Sequence, residues 1–521
     1  MEENKFKQSL YDPDTFSVTW ELVPGRGAFE KPQEVLIKSA EEAAKSGKIH
    51  ALTITDNPGG NPAISAEMLG VEVKKLGIEP LVHFTCKDKS RNEIEALLYG
   101  LERNDVKNLL VMTGDYPVTG FKGRSRPVFD LDPIHVLQLI TEMNEGLEYP
   151  GLKGPVKIKP TNFFAGAAAS PFKQLESEQV LQYYKLKKKL DAGAQFIIPQ
   201  LGYDARKFHE LYLIVRKIFK SDVPLIGNVY ILPYGAARLM NRNQIPGCVV
   251  TDKLVQILDE ERKAEDKGKQ ARLLRAAKMY AFFKGMGYNG VHIGGHGVSI
   301  DDVLWIIDKG EELAPNWLEY VKEFDFPMPD GFYYFEKDEE TGLNKEDAIA
   351  PRNAPGHSPL SYRFARFMHD VMFEPDGFLF KPMQKLCAAI DGKKSGEFFK
   401  KIEHLIKVAN FECMDCGDCA LMDVAFVCPM SQCPKNQRNG PCGGSYQGWC
   451  EVYPNEKKCV WVRAYDRLKV YNEQDTIQEN VVPPVNWDLF HTSSWINFYL
   501  GRDHVSKRIG IKPPEKKKKE K

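Results

Sequence analysis

Eight of the eleven cysteines crowd into 413–459, in the spacing C-x2-C-x2-C-x8-C-x4-C-x8-C-x7-C-x8-C. They are Cys413, Cys416, Cys419, Cys428, Cys433, Cys442, Cys450 and Cys459. Clustered thiolates are ligands for soft metals. The start of the chain, MEENKFKQSLYDPD, lacks the apolar stretch of a secretory signal. A reducing, cytoplasmic setting is therefore expected, and it argues against disulfides. Three thiolates two residues apart can wrap one face of an iron–sulfur cube, with a fourth arriving from farther along. Zinc sites more often pair one C-x2-C with another. Eight thiolates suffice for two [4Fe–4S] clusters, for one cluster and one zinc, or for two zincs. The spacing favours at least one cluster, keeps zinc as the alternative, and does not divide the ligands among sites.

A second set of reactive residues is spread over the first three hundred positions. Each stands at or near the end of a short apolar run: Glu21, the Thr55-Asp56-Asn57 triplet, His83 and Thr85, Thr113-Gly114-Asp115, Gln200 and His292. Three of these runs end on a carboxylate, with glutamine and histidine at others, a set suited to proton transfer and polar recognition. Glu21 lies between Trp20 and Leu22. Desolvation there is expected to raise its pKa and make it a general acid near neutrality. His292 and His296, in V-H-I-G-G-H-G, read as a strand histidine and a glycine-rich loop rather than a metal pair.

The elements that must position these residues alternate. Strands are predicted over 16–22, 51–56, 81–86, 109–114, 162–167, 195–200, 225–231 and 290–294, with helices between them over 32–46, 91–103, 177–192, 205–219 and 272–286. Alternation with buried strands means a parallel sheet, and eight units predict a (β/α)8 TIM barrel. In that fold the strand ends converge on one mouth. An open doubly wound sheet is the rival, without a G-x-G-x-x-G after the first strand. Near residue 326 the composition turns to Pro, Gly and acidic residues. The reading is a barrel over 1–325, then a smaller helical, cysteine-rich metal-binding domain over 326–521. Helices are expected there at 359–373, 380–390, 396–408 and 460–470, an aromatic segment at 487–500 docks on a core or partner, and a disordered lysine run ends the chain at 513–521. Basic and acidic residues number 71 each, so no global charge favours nucleic acid. No run reaches the ~18 apolar residues of a membrane span.

Five motifs, V-T-W-E-L-V-P, T-I-T-D, H-F-T-C, T-G-D-Y-P and K-L-D-A-G-A-Q-F-I-I-P-Q, occur in this order on the predicted strands or leading into them. Together they resemble the catalytic barrel of the methylenetetrahydrofolate reductase family over about residues 10–310. That resemblance implies a flavoprotein, FAD with FMN as the alternative, that reduces 5,10-methylenetetrahydrofolate to 5-methyltetrahydrofolate or runs the reverse oxidation. By position, Glu21 would be the acid that protonates the folate amine. Asp115 would lie by flavin and pterin, Gln200 would bond the pterin, and Thr55, His83 and Lys189 would touch the flavin. The chain departs from the family pattern at 56–60 and 201–204, so the choice of flavin and the stacking of the folate stay open.

The second part, through C-M-D-C-G-D-C, C-P-K-N-Q-R-N-G-P-C-G-G and T-S-S-W-I-N-F-Y-L, resembles the cysteine-rich C-terminal domain of methylenetetrahydrofolate reductases of some anaerobes. It implies electron relay through iron–sulfur clusters from ferredoxin or a partner flavoprotein. If the metal is zinc, the domain is structural and NAD(P)H reduces the flavin. An oligomer is expected. The alternative function is a folate-binding electron-transfer or scaffold component of a methyl-transfer complex that does not itself reduce folate.

Overall fold

The computed structural model describes residues 4–514. It divides into two compact units: Met1–Arg352 with Cys442–Gln447, and Asn353–Pro441 with Gly448–Lys521. Composition alone places the boundary at 325/326, yet 326–352 belongs to the first unit. The reason is a buried ion pair on the helix Ala205–Leu213. Lys207 Nζ lies 3.0 Å from Glu210 Oε1, both side chains are nearly inaccessible, and the ammonium also donates to the Phe332 carbonyl at 2.6 Å. Glu210 in turn accepts from the Tyr334 amide at 2.6 Å. Removing 326–352 would leave both charges underpaired in the interior, a costly state.

The eight predicted strands all form. We label them β1 (Ser17–Leu22), β2 (Ala51–Ile54), β3 (Glu79–Thr85), β4 (Asn108–Met112), β5 (Phe164–Ala169), β6 (Ile197–Pro199), β7 (Ile226–Tyr230) and β8 (Gly290–Gly294). They pair in parallel in the spatial order β6-β5-β4-β3-β2-β1-β8-β7. A parallel bridge between Ile197 and Leu225, with the Ile197 amide on the Pro224 carbonyl at 2.9 Å, joins β6 to β7 and closes the ring. The helices Lys31–Ser46, Arg91–Arg103, Glu176–Asp191 and Lys269–Gly285 agree with expectation to within about three residues. The predicted helix 205–219 is α-helical only to Leu213 and continues as a π-helical turn, Ile214–Ile218. A short antiparallel hairpin, Glu148–Gly151 with Gly154–Lys157, interrupts the path from β4 to β5.

Because side chains alternate along a strand, every second residue faces the barrel interior. The lower interior is apolar: Ala51, Leu81, Leu110, Phe164, Phe196, Ile198 and Ile226 form one cluster. The N-terminal helix Lys5–Tyr11 joins it with Phe6 and Leu10, Phe6 meeting Phe164 and Phe196 edge-on. Fully burying those two side chains contributes roughly 1.5–3 kcal/mol each. Above this floor the same inward rows turn polar: Thr19 and Glu21 on β1, Thr53 and then Thr55 from β2, His83 and Thr85 on β3, His292 on β8. The sequence thus fills one end of the barrel and leaves chemistry at the other.

The second unit is helical: Leu360–Met372, Phe380–Ile390, Lys394–Phe411, Val460–Lys469, Ser494–Tyr499 and His504–Arg508. Phe380, Cys387, Ile496, Phe498, Tyr499, Leu500 and Val505 make its core, so the aromatic segment docks inside this unit. Cys387 is wholly buried there, as a packing residue. The lysine-rich end lies, from residue 515, outside the described residues. Among those residues, no helix is long and apolar enough to cross a membrane.

Candidate active site and cysteine centre

The mouth of the barrel is built in two polar layers. In the lower layer His292 is fixed from two neighbouring strands, its Nδ1 lying 2.9 Å from Thr19 Oγ1 and 3.3 Å from Thr53 Oγ1. The other ring nitrogen, Nε2, faces Glu21 Oε2 at 3.5 Å. Gly294, two residues on, leaves the space the carboxylate needs; a Cβ there would stand 3.1 Å from Glu21 Oε1. Burial pushes the Glu21 pKa upward, but the hydrogen bond from His292 and the nearby imidazoles outweigh it, and the net shift is downward. This reverses the expected sign: the sequence neighbours Trp20 and Leu22 do not reveal the imidazoles across the barrel. His83, from β3, completes a group with Glu21 and His292. Burial lowers its pKa to about 4, so the imidazole is neutral at physiological pH. Two buried polar atoms in this mouth, Thr55 Oγ1 and His83 Nε2, have no hydrogen-bond partner among the described residues.

The loops around the mouth are held by charge. Asp56 accepts from Lys89 Nζ at 2.6 Å and from Thr85 Oγ1 at 2.5 Å, and Lys89 also meets Glu67 at 3.3 Å. Lys87, almost wholly buried, donates to the Asn57 carbonyl at 3.2 Å. Asp115 is exposed and accepts the Gly59 amide at 2.7 Å, while Gly60 packs so tightly on the next loop that a Cβ would fall 2.1 Å from the Tyr116 carbonyl. Burial pushes the Cys248 thiol pKa up, and the negative charges of Asp115 and Glu21 add to the shift. Gln200 Nε2 stands near Gly247, where a Cβ would lie 3.5 Å from it.

In the second unit, Cys413, Cys416, Cys419 and Cys428 line one small cavity. The loop carrying the first three turns through left-handed residues Asp415 and Gly417. At Gly417 any side chain is excluded, because its Cβ would fall 1.8 Å from the Leu489 carbonyl. Asn497 Nδ2 holds the Gly417 carbonyl at 3.1 Å, and Lys400 pairs with Asp415 at 3.1 Å. The Asp415 amide donates to Cys413 Sγ at 3.4 Å, and Lys407 Nζ stands 3.4 Å from Cys419 Sγ. Burial pushes the Cys416 thiol up to about 12. Among the described residues, Glu21, His83 and His292 are the one group of three or more His, Cys, Asp or Glu whose ligand atoms all lie within 4.8 Å of one another.

A family model described as "Methylenetetrahydrofolate reductase" matches residues 5–294, more than half of the chain and all eight barrel strands. The chain belongs to the methylenetetrahydrofolate reductase family. A second model, "Methylene-tetrahydrofolate reductase C terminal", matches residues 393–488 and spans all eight clustered cysteines. "Methylenetetrahydrofolate reductase 2" of Saccharomyces cerevisiae is 30% identical over 185 residues, which is 34% of this chain and 28% of the yeast protein. Among solved structures, an uncharacterized protein from Clostridium thermocellum that binds two copies of 5-methyl-5,6,7,8-tetrahydrofolic acid aligns at 13% identity and TM-score 0.41, over 60% of this chain and 99% of its own. A dihydropteroate synthase from Coxiella burnetii in complex with pteroic acid aligns at 11% identity and TM-score 0.32, over 58% of this chain and 94% of its own.

Of the residues that the resemblance to methylenetetrahydrofolate reductases singles out, the structure brings Glu21, Thr55, His83, Asp115 and Gln200 to the mouth. Lys189 is different. Its ammonium is buried and donates to the Ala168 carbonyl at 2.6 Å, and burial lowers its pKa to about 7, the neighbouring Lys185 adding to the effect. A ligand oxygen would compete with that carbonyl. His296 is exposed, whereas His292 joins Glu21 in the lower polar layer. Thr19, Thr53, Lys87 and Lys89 were not singled out by sequence. A signal existed for the two threonines: each stands two positions before an inward residue, Glu21 or Thr55, and so shares its face. Of the eight clustered cysteines, four share a cavity, Cys442 belongs to the first unit, and Cys433, Cys450 and Cys459 lie elsewhere in the second.

Proposed function

We propose that this chain is a flavin-dependent methylenetetrahydrofolate reductase whose second unit carries an iron–sulfur cluster. The observation that carries the reading is the Glu21–His292 pair at 3.5 Å, anchored by the Thr19 and Thr53 hydroxyls inside a family-matched barrel. A bound flavin would supply the hydride for the one-carbon unit. The orphaned Thr55 Oγ1 and His83 Nε2 suit its polar edge, and neutral His83 adds no charge there. Asp115, in the loop after β4, and Gln200, at the end of β6, supply the polar groups that would bond a pterin. Glu21 holds the proton that the folate amine takes when the ring opens, and His292, with a nitrogen on each side, connects that carboxylate to the threonine hydroxyls. Since the free carboxylate is ionised at rest, protonation accompanies turnover.

In the cysteine centre, the C-x2-C-x2-C spacing with Cys428 on the same cavity supports a [4Fe–4S] cluster held by Cys413, Cys416, Cys419 and Cys428. Such a cluster would supply one-electron chemistry, taking electrons from a ferredoxin or partner flavoprotein for the flavin.

The test is one anaerobic preparation of the full chain, assayed for flavin, iron and acid-labile sulfide, then reduced and mixed with methylenetetrahydrofolate. Stoichiometric flavin that the folate reoxidises is expected. Protein without flavin that binds methylfolate would instead establish the non-reducing folate-binding component. Zinc without iron would remove the cluster.

A further inference from the structure

We propose that Lys407 sets the reduction potential of the cluster held by Cys413, Cys416, Cys419 and Cys428. The inference rests on the cluster reading and goes beyond it by assigning a residue that is not a ligand. Lys407 is on the helix Lys394–Phe411, and its side chain is 7% exposed. Its ammonium donates to Cys419 Sγ at 3.4 Å and to Ser494 Oγ at 2.6 Å, and it forms an ion pair with Glu403 Oε1 at 3.5 Å. Glu403, one helical turn earlier and 4% exposed, is itself fixed. It accepts from Ser494 Oγ at 2.7 Å, Ser493 Oγ at 2.5 Å and the Trp495 amide at 3.3 Å. The T-S-S-W motif therefore aims an ammonium at one sulfur of the quartet.

The surroundings make that aim matter. Lys407 and Cys419 also line a cavity of about 370 Å³ walled by Phe411, Leu421, Phe426 and Trp495. The Lys407 side chain is itself buried, so its field acts on the thiolate with less screening than at the surface. Reduction adds one electron to the cluster from a low-potential one-electron donor, with no bond made or broken. A fixed positive charge beside a ligand sulfur favours the reduced form, and hydrogen bonds to cluster sulfurs are a recognised means of setting such potentials. Glu403 acts in the opposite sense and partly offsets the ammonium. A staple joining the helix to the 493–495 segment needs only the Ser494 and Glu403 contacts; the third, to Cys419, is what the electrostatic role adds.

The two charges give opposite predictions. In the full chain, purified anaerobically and titrated with dithionite under EPR detection, Lys407→Met is expected to shift the cluster's one-electron equilibrium at least tenfold towards the oxidised form. A tenfold shift is a potential lower by about 59 mV. Lys407→Arg keeps the charge and stays within about twofold of wild type, and Glu403→Gln shifts the equilibrium several-fold towards the reduced form. Iron and sulfide per chain are measured in each variant. Lys407→Met with full iron and an unmoved potential overturns the proposal. If that variant assembles no cluster, Glu403→Gln decides, and an unmoved potential there overturns it equally. Wild-type protein carrying zinc and no iron refutes the cluster itself, a result separable from iron-loaded variants that fail to shift.

Discussion

Replacing Glu21 by glutamine removes one proton-holding group and almost nothing else. The amide has the carboxylate's shape, so the space left by Gly294, with a Cβ position 3.1 Å from Glu21 Oε1, still accommodates it. His292 keeps its anchors on Thr19 and Thr53 at 2.9 and 3.3 Å and loses only the 3.5 Å contact to Oε2. The Glu21 side chain is 19% exposed, and losing such a partly screened pair is expected to cost about 1 kcal/mol or less. The melting temperature should then fall by at most about 2–4 °C. Catalysis should suffer far more. A positioned general acid contributes roughly 10²–10⁴-fold, which is about 2.7–5.5 kcal/mol of barrier at 1.36 kcal/mol per factor of ten. Stopped-flow spectrophotometry separates the half-reactions: flavin content and its reduction by dithionite should match wild type, while reoxidation by methylenetetrahydrofolate slows by that factor. Reoxidation within threefold of wild type, at equal flavin loading, would refute the assignment of Glu21 as the acid.

Three further outcomes follow from charges and thiols described above. Because the Glu21 pKa is lowered, its protonated fraction falls tenfold per pH unit above that value; the wild-type second-order rate of reoxidation should rise steadily as pH drops from 8 to 6, and Glu21→Gln should flatten that slope. Equal slopes in the two proteins would count against the acid role. Cys413→Ser should cost the second unit about four irons per chain, while Cys387→Ser, in the apolar core, should leave the metal content unchanged; iron analysis of both checks it. His504 is clamped between Asp418 at 2.6 Å and Asp423 at 2.9 Å, and although burial lowers its pKa the two carboxylates raise it on balance. Its contribution is therefore complete below the ordinary histidine value of about 6.5 and is lost as pH rises through the elevated folded value. His504→Leu should destabilise the second unit by about 3–5 kcal/mol at pH 6 and by clearly less at pH 9.5, read from hydrogen exchange of that unit; an equal loss at both would exclude the ion-pair explanation.

The barrel was legible because its signals are local. Apolar runs such as 109–114 and 225–231, punctuated by helical segments ending at glycine, name strands and helices without knowledge of their neighbours. Glu21, His83 and Gln200 were legible as strand-end polar residues for the same reason. What was not legible depends on closure of the ring. Thr19 meets His292 across 273 positions of sequence, so neither the downward shift of the Glu21 pKa nor the role of His292 can be read from the residues beside them. The boundary at 325/326 moved because composition registers Pro327, Pro329 and Gly331 as a linker but not the buried Lys207–Glu210 pair that binds the following segment. In the cysteine segment the spacing marked Cys413, Cys416 and Cys419 as a set. Their fourth companion, Cys428, required the fold.

The return of Cys442–Gln447 to the first unit bears on how the chain is made. Lys173, 3% exposed, directs its ammonium at the carbonyls of Gly443 and Ser445, and Gln182 Nε2 reaches the Cys442 carbonyl at 2.9 Å. A nascent chain that has emerged only as far as Arg352 has every barrel strand but lacks the acceptors for that ammonium. All of Asn353–Pro441 must be translated before they arrive. The first unit is therefore completed late in synthesis, by a piece encoded inside the cysteine segment. A gene cut after residue 352 would yield two fragments, the first missing a part that only the second can return.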